Sequence, residues 1–290
     1  MNYPPDIDPK KETARITDFI KKTFNKTGKK HAVIAVSGGV DSTSSLFLTA
    51  KALGPQNITC LFLPAKTMDP IHWEHVLRSC KVARIPQENI LTIPIGGIIQ
   101  KTWNRIKHSS PIKPQEKGTP DRKKMNQELA YLNRLRLANI AARSRMMLTF
   151  DQAKLRNALV VGTENQSEHL LGYFTRFGDE ASDIEPIRHL YKTQVHELAK
   201  FLKVPKEIIE KLPTAGLWAG QTDEGELGFS YEEADPILFL HYEQQKSPKE
   251  IVKMLSGKTQ RKTKENEQLV QKVLGHRKQM SFKQNLPYAI

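Results

Sequence analysis

One short run connects a predicted strand to a predicted helix: Val36-Ser37-Gly38-Gly39-Val40-Asp41-Ser42. The apolar residues 31–36 are typical of a short buried strand, and the apolar spacing that follows Ser42 predicts a helix. A strand, a glycine turn and a helix N-terminus together present backbone N–H groups to a phosphate. The two glycines let the backbone approach the phosphate oxygens closely, and Ser37 and Ser42 can donate hydroxyl hydrogen bonds.

Asp41 makes the same run more specific. A carboxylate would repel a bare phosphate, so its presence is explained if a Mg²⁺ ion lies between Asp41 and the phosphates. The alternative is a simple Gly-Gly turn in which the aspartate caps the helix, but Ser-Gly-Gly-x-Asp-Ser after a strand is far more specific than a glycine pair. The run is neither a Walker loop, which needs a lysine, nor the Gly-x-Gly-x-x-Gly dinucleotide fingerprint.

The run resembles the pyrophosphate-binding loop of the ATP pyrophosphatases. Enzymes with that loop split ATP between its α- and β-phosphates and adenylate an oxygen of their substrate. The loop alone leaves several members open: NAD synthetase, the GMP, asparagine and argininosuccinate synthetases, and the enzymes that thiolate or lysinylate tRNA.

Length and composition restrict the class of protein. The 290 residues suffice for one large domain or two small ones, and 38% of them are hydrophobic. No stretch approaches the ~20 apolar residues that span a bilayer, and residues 1–8 have no apolar signal core. The two cysteines, Cys60 and Cys80, match no metal-binding spacing and no disulfide framework. We therefore expect a cytoplasmic protein without a membrane segment.

The chain is strongly basic, with a formal net charge of +14. The excess is concentrated in residues 101–124, which we interpret as a basic loop insert, and in a basic helical tail over residues 246–290. Neither stretch interleaves aromatic residues with its charges, as a surface that stacks nucleic-acid bases would. A solvated basic surface is therefore favoured over an RNA-binding patch.

Apolar runs alternate with amphipathic segments along the first half of the chain. The runs 33–36, 58–63, 90–95 and 159–163 predict strands, and the segments 42–52, 71–84 and 127–150 predict helices. This alternation implies an α/β fold: a doubly wound, mostly parallel sheet flanked by helices, with a helical C-terminal part. Ligands of such sheets bind beyond the carboxyl ends of the strands. Residues 37–42 and 163–168 both lie at such ends.

Further motifs follow the fourth strand. They are Gly162-Thr-Glu-Asn-Gln-Ser-Glu168, Gly172-Tyr-Phe-Thr-Arg-Phe-Gly-Asp179, Leu190-Tyr-Lys-Thr-Gln-Val195 and Pro213-Thr-Ala-Gly-Leu-Trp-Ala-Gly-Gln-Thr-Asp-Glu224. With Asn139-Ile-Ala-Ala-Arg-Ser-Arg-Met146, they resemble the NAD synthetase family in order and spacing, over most of the chain. The resemblance implies an adenine-nucleotide α-hydrolase-like fold and a single domain over residues 1–290.

The resemblance also implies site residues. Contacts to ATP are implied for Ala35, Val36, Ser37, Gly38, Gly39, Val40, Asp41, Ser42, Thr163, Lys192 and Thr214. Contacts to the substrate deamido-NAD are implied for Arg143, Arg176, Asp183, His276 and Arg277. Mg²⁺ ligands are implied at Asp41 and Glu168. Arg176 and Arg277 stand where the family usually has lysine, which keeps the charge but changes the donor geometry.

Several of these residues have a plainer interpretation when they are considered alone. Arg143 could be a solvent-facing helix residue, Lys192 a first-turn surface lysine, and His276 an ordinary surface histidine. Glu168 could complement the dipole at a helix start.

The reaction implied by the resemblance is the amidation of deamido-NAD in NAD biosynthesis. The nicotinate carboxylate attacks ATP to form an acyl-adenylate and pyrophosphate, and ammonia then displaces AMP. Because the first strand begins too early to leave room for an amidase domain, we expect free ammonia as the donor. The family also implies a homodimer with the substrate near the interface. The alternatives are a tRNA-modifying ATP pyrophosphatase and a nucleotide-binding protein without enzymatic activity.

Overall fold

A parallel β-sheet lies at the centre of the computed structural model, which describes residues 3–65, 70–109, 122–214, 220–256 and 262–284. Its four strands have the spatial order β3-β2-β1-β4. They are β1 (His31–Ala35), β2 (Ile58–Phe62), β3 (Ile90–Thr92) and β4 (Ala158–Val161). All pairings are parallel, with Ile34 aligned to Cys60 on one side and to Val161 on the other. The predicted parallel sheet is confirmed.

Twelve α-helices are present in the described part of the chain. They are α1 (Pro9–Thr27), α2 (Val40–Leu53), α3 (Ile71–Val82), α4 (Gly96–Ile106), α5 (Arg122–Leu155), α6 (Gln166–Leu171), α7 (Lys192–Phe201), α8 (Lys206–Ile209), α9 (Asp223–Leu227), α10 (Tyr231–Tyr242), α11 (Pro248–Ser256) and α12 (Thr263–Met280). Short 3₁₀ turns lie at Pro55–Asn57, Gln87–Asn89 and Ser281–Lys283.

Both faces of the sheet are covered by helices. Successive strand side chains point to opposite faces, so Ala32 and Ile34 pack with α1, α2, α3 and α7, whereas Val33 packs with α5. A separate apolar cluster joins α6, α10, α11 and α12, and its buried members include Leu171 and Ile237. The sheet is therefore doubly wound, as predicted, with additional helices beyond the end of β4.

Helix α1 was not expected from the sequence, although its ends carry clear signals. The Asp8 side chain accepts hydrogen bonds from the backbone N–H groups of Lys10 and Lys11, and Pro9 occupies the first helical position. Gly28 ends the helix in the left-handed region. These are the residue types that favour a helix start and stop.

The prediction of a loop over residues 101–124 is wrong at both ends. Helix α4 continues to Ile106, and α5 begins at Arg122. Trp103 and Ile106 lie against α5, where the guanidinium of Arg136 lies 5.0 Å from the Trp103 ring centre and donates to the carbonyl of Ile106. Basic residues on the outer face of α4 concealed this apolar spacing in the sequence. Residues 110–121 lie outside the described residues.

Four glycines between residues 213 and 228 predict a loop, but part of this segment is helical. Helix α9 occupies its last third, and the Thr222 hydroxyl caps it by accepting from the N–H of Gly225. Residues 215–219 lie outside the described residues. In the described part of the chain, no helix is both long enough and apolar enough to cross a membrane.

Candidate active site

The sheet order creates one place where neighbouring loops diverge. The chain moves from β1 to β2 and β3 on one side and then crosses to β4 on the other side of β1. The loops that follow β1 and β4 therefore leave the sheet in opposite directions, which is where ligands of open parallel sheets bind. A cavity of about 650 Å³ lies at this point and is lined by both loops.

The loop after β1 is held in shape by its own serines and by α3. The Ser42 hydroxyl lies 3.1 Å from the Ser37 hydroxyl and donates to the carbonyl of Gly39 at 3.1 Å. Gly38 has φ = 78°, and a Cβ there would lie 2.8 Å from the carbonyl oxygen of His72. Both the conformation and the close contact therefore require glycine at this position. The ring of His72 also contacts the carbonyl of Ser37 at 3.0 Å.

A buried lysine connects the loops after β1 and β4. Lys192, only 4% exposed, places its Nζ 2.5 Å from Oδ2 of Asp41 and 3.1 Å from Oε1 of Glu168. Asn165 donates from its side-chain nitrogen to the other oxygen of Asp41 at 3.0 Å. Two residues predicted from separate motifs are thus brought to the same ammonium, which excludes the interpretation of Lys192 as a surface residue.

The charges in this group depend on one another. Burial acts to lower the pKa of Lys192, but the carboxylates of Asp41, Glu168 and Asp223 outweigh it, so the net shift is upward and the ammonium stays charged. Burial raises the pKa of Glu168, and Lys192 opposes that shift. The ring of Tyr231 lies 5.2 Å from Nζ of Lys192 and adds a favourable cation–π contact.

Lys192 is the first residue of α7, and its backbone is fixed by a buried aspartate. Its N–H donates to the Ser167 hydroxyl at 2.8 Å, and that hydroxyl donates to Oδ1 of Asp235 at 2.5 Å. Oδ2 of Asp235 accepts from both the N–H and the hydroxyl of Thr193, at 2.9 and 2.8 Å. Asp235, which is fully buried, therefore ties the starts of α6 and α7 to α10.

A second wall of the cavity is formed by six residues of the segment 172–179, namely Gly172, Tyr173, Phe174, Thr175, Gly178 and Asp179. The Tyr173 hydroxyl donates to Glu226 at 2.6 Å, and the Thr175 hydroxyl donates to Asn139 at 2.9 Å. Lys283 secures this wall from the other side, because its Nζ donates to the carbonyls of Gly172 and Phe174 at 2.6 and 2.7 Å. The cavity is therefore lined by residues from 35 to 283.

Most of the predicted ATP residues lie around this cavity. Those that line it are Ala35, Val36, Ser37, Gly39, Val40, Asp41, Ser42, Thr163, Lys192 and Thr214, together with the predicted metal ligand Glu168. Gly38 is buried beneath the loop against α3. The structure thus brings the predicted set together at the end of the sheet, and their contacts with ATP stay a prediction.

The predicted deamido-NAD residues are more dispersed. His276 lines the cavity. Arg143 donates to the backbone carbonyl of Arg176, whose guanidinium lies between the rings of Phe177 and Phe282. Asp183 accepts from the backbone N–H of Val160, and the guanidinium of Arg277 lies over the ring of Tyr242. Of these five residues, only His276 is among the described residues lining the cavity, so the substrate contacts of the others stay predictions.

Glu164, in the loop after β4, is a buried glutamate. Oε2 of Glu164 is 2.7 Å from Arg188, whose other terminal nitrogen lies 2.7 Å from the His169 ring. Glu185 accepts from the backbone N–H of Glu164 at 3.1 Å. Burial raises the pKa of Glu164 to about 9, Arg188 opposes the shift, and Glu185, Glu168 and Asp179 add to it. Burial also lowers the pKa of His169 to about 4.

No group of three or more histidine, cysteine or acidic side chains in the described residues is arranged to hold a metal ion. Asp41 and Glu168 nevertheless form a suitable donor set, because both present carboxylate oxygens to one cation, the ammonium of Lys192. Mg²⁺ usually binds through one or two carboxylates and completes its shell with water and substrate phosphates. The residues present therefore fit that ion once phosphates are bound.

A glycine-rich phosphate loop at the switch point of a parallel sheet, beside a paired carboxylate set, defines a nucleotide-binding α/β enzyme. Comparisons with known proteins narrow this class. The model of the NAD synthase family matches residues 12–287. The chain belongs to the NAD synthase family. This confirms the predicted family and favours a carbon–nitrogen ligase over the tRNA-modifying alternative.

Individual relatives agree with the family match. The chain is 35% identical to the NH(3)-dependent NAD(+) synthetase of Fusobacterium nucleatum, over 85% of this chain and 86% of that one. It is 39% identical to the enzyme of the same name from Pyrococcus furiosus, over 85% and 84% of the two chains.

Solved structures share the fold over nearly the whole chain. An NMN synthetase from Francisella tularensis matches with a TM-score of 0.75 and 28% identity, covering 98% of this chain and 99% of that one. An NH3-dependent NAD synthetase from Campylobacter jejuni matches with a TM-score of 0.70 and 27% identity, covering 98% and 100%.

Some residues that build the site were not identified from the sequence. Asn165 lies inside the motif Gly162–Glu168. Its position between Thr163 and Glu168 could have identified it as a site residue. His72 and Asp235 lie on helices far from any motif, and only the fold shows their contacts with Ser37 and Ser167.

Proposed function

We propose that this protein catalyses the ATP-dependent amidation of deamido-NAD with ammonia, which produces NAD, AMP and pyrophosphate. The observation that carries the proposal is the contact of Lys192 with Asp41 of the phosphate loop and with Glu168 beyond β4, at the cavity between the two loops. The membership in the NAD synthase family supports the same reaction.

In this proposal the phosphates of ATP would lie on residues 37–42. Ser37, Gly39 and Ser42 of this segment line the cavity, and so does Val40, the first residue of α2. A glycine turn and a helix N-terminus both favour bound anions. Lys192 lies at the same end and supplies positive charge as pyrophosphate leaves.

The chemistry needs no covalent intermediate with the protein. One oxygen of the nicotinate carboxylate attacks the α-phosphorus of ATP, and the bond to the oxygen that bridges the α- and β-phosphorus atoms breaks. The acyl-adenylate carbon is then attacked by ammonia, which loses a proton, and AMP leaves with the carboxylate oxygen. Catalysis rests on positioning and on charge at the phosphates. The apolar side chains of Leu61 and Leu63 in the cavity wall help to exclude water.

Asp41 and Glu168 would hold Mg²⁺ when the phosphates are bound. The ion would neutralise phosphate charge and orient the α-phosphate for attack. Lys192 keeps the two carboxylates close together until then.

A homodimer is the assembly we propose, with deamido-NAD near the interface. Five apolar side chains on α5 and the neighbouring loop support it, because each is at least 37% exposed: Tyr131, Leu132, Met147, Leu155 and Phe177. Association with a second copy would remove side chains of this kind from water. We also propose that the protein acts in the cytoplasm and that residues 1–290 form one synthetase domain.

Nicotinate mononucleotide is a second candidate substrate. The similar fold of the NMN synthetase from Francisella tularensis favours it, since that structure matches at 28% identity over 98% of this chain. The acyl group to be amidated would be the same, and the adenylate half of deamido-NAD would be absent. The two substrates use the same phosphate loop and differ only in how much of the adjoining surface they cover.

The test is a direct comparison of the two substrates. Purified protein is incubated with ATP, Mg²⁺ and ammonium chloride plus either deamido-NAD or nicotinate mononucleotide, and NAD, NMN, AMP and pyrophosphate are quantified by chromatography. The proposal expects NAD and AMP in equal amounts and a higher kcat/KM for deamido-NAD. A higher kcat/KM for the mononucleotide would replace the first substrate with the second, and absence of AMP with both would refute the ligase activity.

A further inference from the structure

The phosphate loop has no lysine of its own between Ser37 and Ser42. Lys192 is the nearest cation assigned so far, and its charge is already matched by Asp41 and Glu168. The triphosphate of ATP carries several negative charges, and breaking the bond between the α- and β-phosphates adds negative charge to the leaving group. An additional cation near the loop would therefore favour the reaction.

Lys211 lies near the Ser37 end of the loop, whereas Lys192 contacts Asp41. Its Nζ lies 3.2 Å from Nδ1 and 3.4 Å from Nε2 of His72, and Nδ1 of the same ring lies 3.0 Å from the carbonyl oxygen of Ser37. A carbonyl only accepts hydrogen bonds, so Nδ1 of His72 carries the proton and donates to Ser37. Nε2 is then the ring nitrogen that can accept from Lys211, at 3.4 Å, and the 3.2 Å approach of the ammonium to Nδ1 is a contact and not a hydrogen bond. The ammonium is thus one imidazole ring away from the phosphate loop.

The surroundings fix Lys211 in this place. His72 is buried on α3, the helix that also packs against Gly38. Helix α3 is joined to α8, which precedes Lys211, by an ion pair of 2.7 Å between Arg78 and Glu207. Two residues after Lys211, the carbonyl of Pro213 accepts from the N–H of Asp223 at 3.0 Å. The segment is therefore anchored on both sides.

Lys211 also lines the cavity, as do Ser37, Asp41 and Thr214. We infer that Lys211 binds the β- and γ-phosphates of ATP and holds the pyrophosphate as it leaves, while His72 positions it. The inference rests on the proposed function, because it assigns a residue to the leaving group of that reaction. Lys192 and Lys211 would then both hold the phosphates, Lys192 near Asp41 and Lys211 near Ser37.

Binding of pyrophosphate is the direct test. Isothermal titration calorimetry of the full chain with sodium pyrophosphate in Mg²⁺ buffer compares the wild type with Lys211→Met, Lys211→Arg and a control, Lys206→Met. Lys206 lies on the neighbouring α8, with a side chain that is 83% exposed. Loss of a charge-assisted contact is expected to weaken binding in Lys211→Met by about tenfold or more. Lys206→Met is expected to bind as the wild type does, and Lys211→Arg to recover part of the affinity.

Steady-state rates separate this inference from the proposed function. If Lys211→Met lowers kcat/KM for ATP by a similar factor while its melting temperature stays near that of the wild type, the assignment is supported. Unchanged pyrophosphate affinity in Lys211→Met would overturn it, even in an enzyme that makes NAD. A lowered melting temperature that Lys211→Arg restores without restoring pyrophosphate affinity would also overturn it, since that pattern marks a structural lysine. If the protein binds pyrophosphate through Lys211 but makes no NAD, only the proposed function is refuted.

Discussion

Lys192 and Asp41 lie 151 residues apart in the sequence, and their side chains meet at 2.5 Å between Nζ and Oδ2. This ion pair joins the first turn of α2 to the start of α7 at the cavity. Breaking a buried ion pair on one side leaves a buried charge without compensation, so the contact affects folding as well as chemistry.

Asp41→Asn and Glu168→Gln are each expected to lower the rate of NAD synthesis by about two orders of magnitude. Each variant removes a charge that would hold Mg²⁺ and leaves Lys192 with one carboxylate fewer. We therefore also expect a lower free energy of unfolding, by about 1–3 kcal/mol. Initial rates at saturating Mg²⁺ and urea unfolding measure the two effects.

The control for these variants is Asp18→Asn, since Asp18 is an exposed aspartate that pairs with Lys22 on α1. It is expected to leave both measurements near the wild-type values. If Asp41→Asn or Glu168→Gln turns over at the wild-type rate, the substituted residue does not hold Mg²⁺.

Asp235→Asn tests whether a buried residue outside the cavity positions Lys192. The substitution replaces one carboxylate oxygen by an NH₂ group, which only donates, so either Ser167 or Thr193 loses its acceptor. We expect the free energy of unfolding to fall by about 1–3 kcal/mol and kcat to fall more than the affinity for ATP changes. Glu232→Gln, at an exposed position of the same helix, is the matched control. A stable variant with unchanged kcat would show that Asp235 does not position Lys192.

Stability is expected to depend on pH through Glu164. Its pKa is raised from 4.5 in the unfolded chain to about 9 in the folded protein, because it is buried. Between these values the folded state binds a proton that the unfolded state releases, so the free energy of unfolding decreases as pH rises through this window. The slope from this group is at most about 1.4 kcal/mol per pH unit. The titratable and charged groups facing Glu164 are Arg188, His169, Glu185, Glu168, Asp179 and Lys283, and His169 is neutral in this window because its pKa is about 4.

Glu164→Gln tests whether the raised pKa of Glu164 causes this pH dependence. An amide stays neutral at every pH, so the variant is expected to lose less stability than the wild type between pH 6.5 and pH 8.5 in urea unfolding. Glu128→Gln, at an exposed position on α5, is expected to follow the wild-type curve. Parallel curves for the wild type and Glu164→Gln would contradict the raised pKa.

Ammonium is expected to support turnover, and glutamine alone is not. The relatives from Fusobacterium nucleatum and Pyrococcus furiosus are both named NH(3)-dependent NAD(+) synthetases, which agrees with the free-ammonia prediction. NAD formation is measured with ammonium chloride, with ammonia-free glutamine, and with glutamine plus a commercial glutaminase as the positive control. Equal rates with ammonia-free glutamine and with ammonium would refute the prediction.

The sequence predicted those parts of the molecule that depend on local patterns. Residues 31–42 specify a strand, a turn and a helix within a dozen positions, and the structure has all three. Helix α4 was missed because Lys101 and Arg105 interrupt the apolar spacing of Trp103 and Ile106, which is recognisable only when α5 lies beside it. Propensity and periodicity describe neighbours along the chain and carry little information about such packing.

In the candidate site, too, local motifs predicted some residues and only the fold reveals others. The residues around Asp41, Glu168 and Lys192 were found through motifs, whereas His72 and Lys211 contact one another across 139 residues. Histidine on a helix and lysine in a loop are common on any surface, so neither residue type indicates a phosphate site before the fold brings them together.

The attachment of Lys283 to the carbonyls of Gly172 and Phe174 has a consequence for the order in which the protein is made. The ribosome releases the phosphate loop near residue 40 long before it has synthesised residue 283. During that interval the sheet and α2 can fold, while residues 172–179 lack one of the groups that secure them. The cavity is therefore completed late in translation, and a chain interrupted before Lys283 carries the phosphate loop without a finished binding wall.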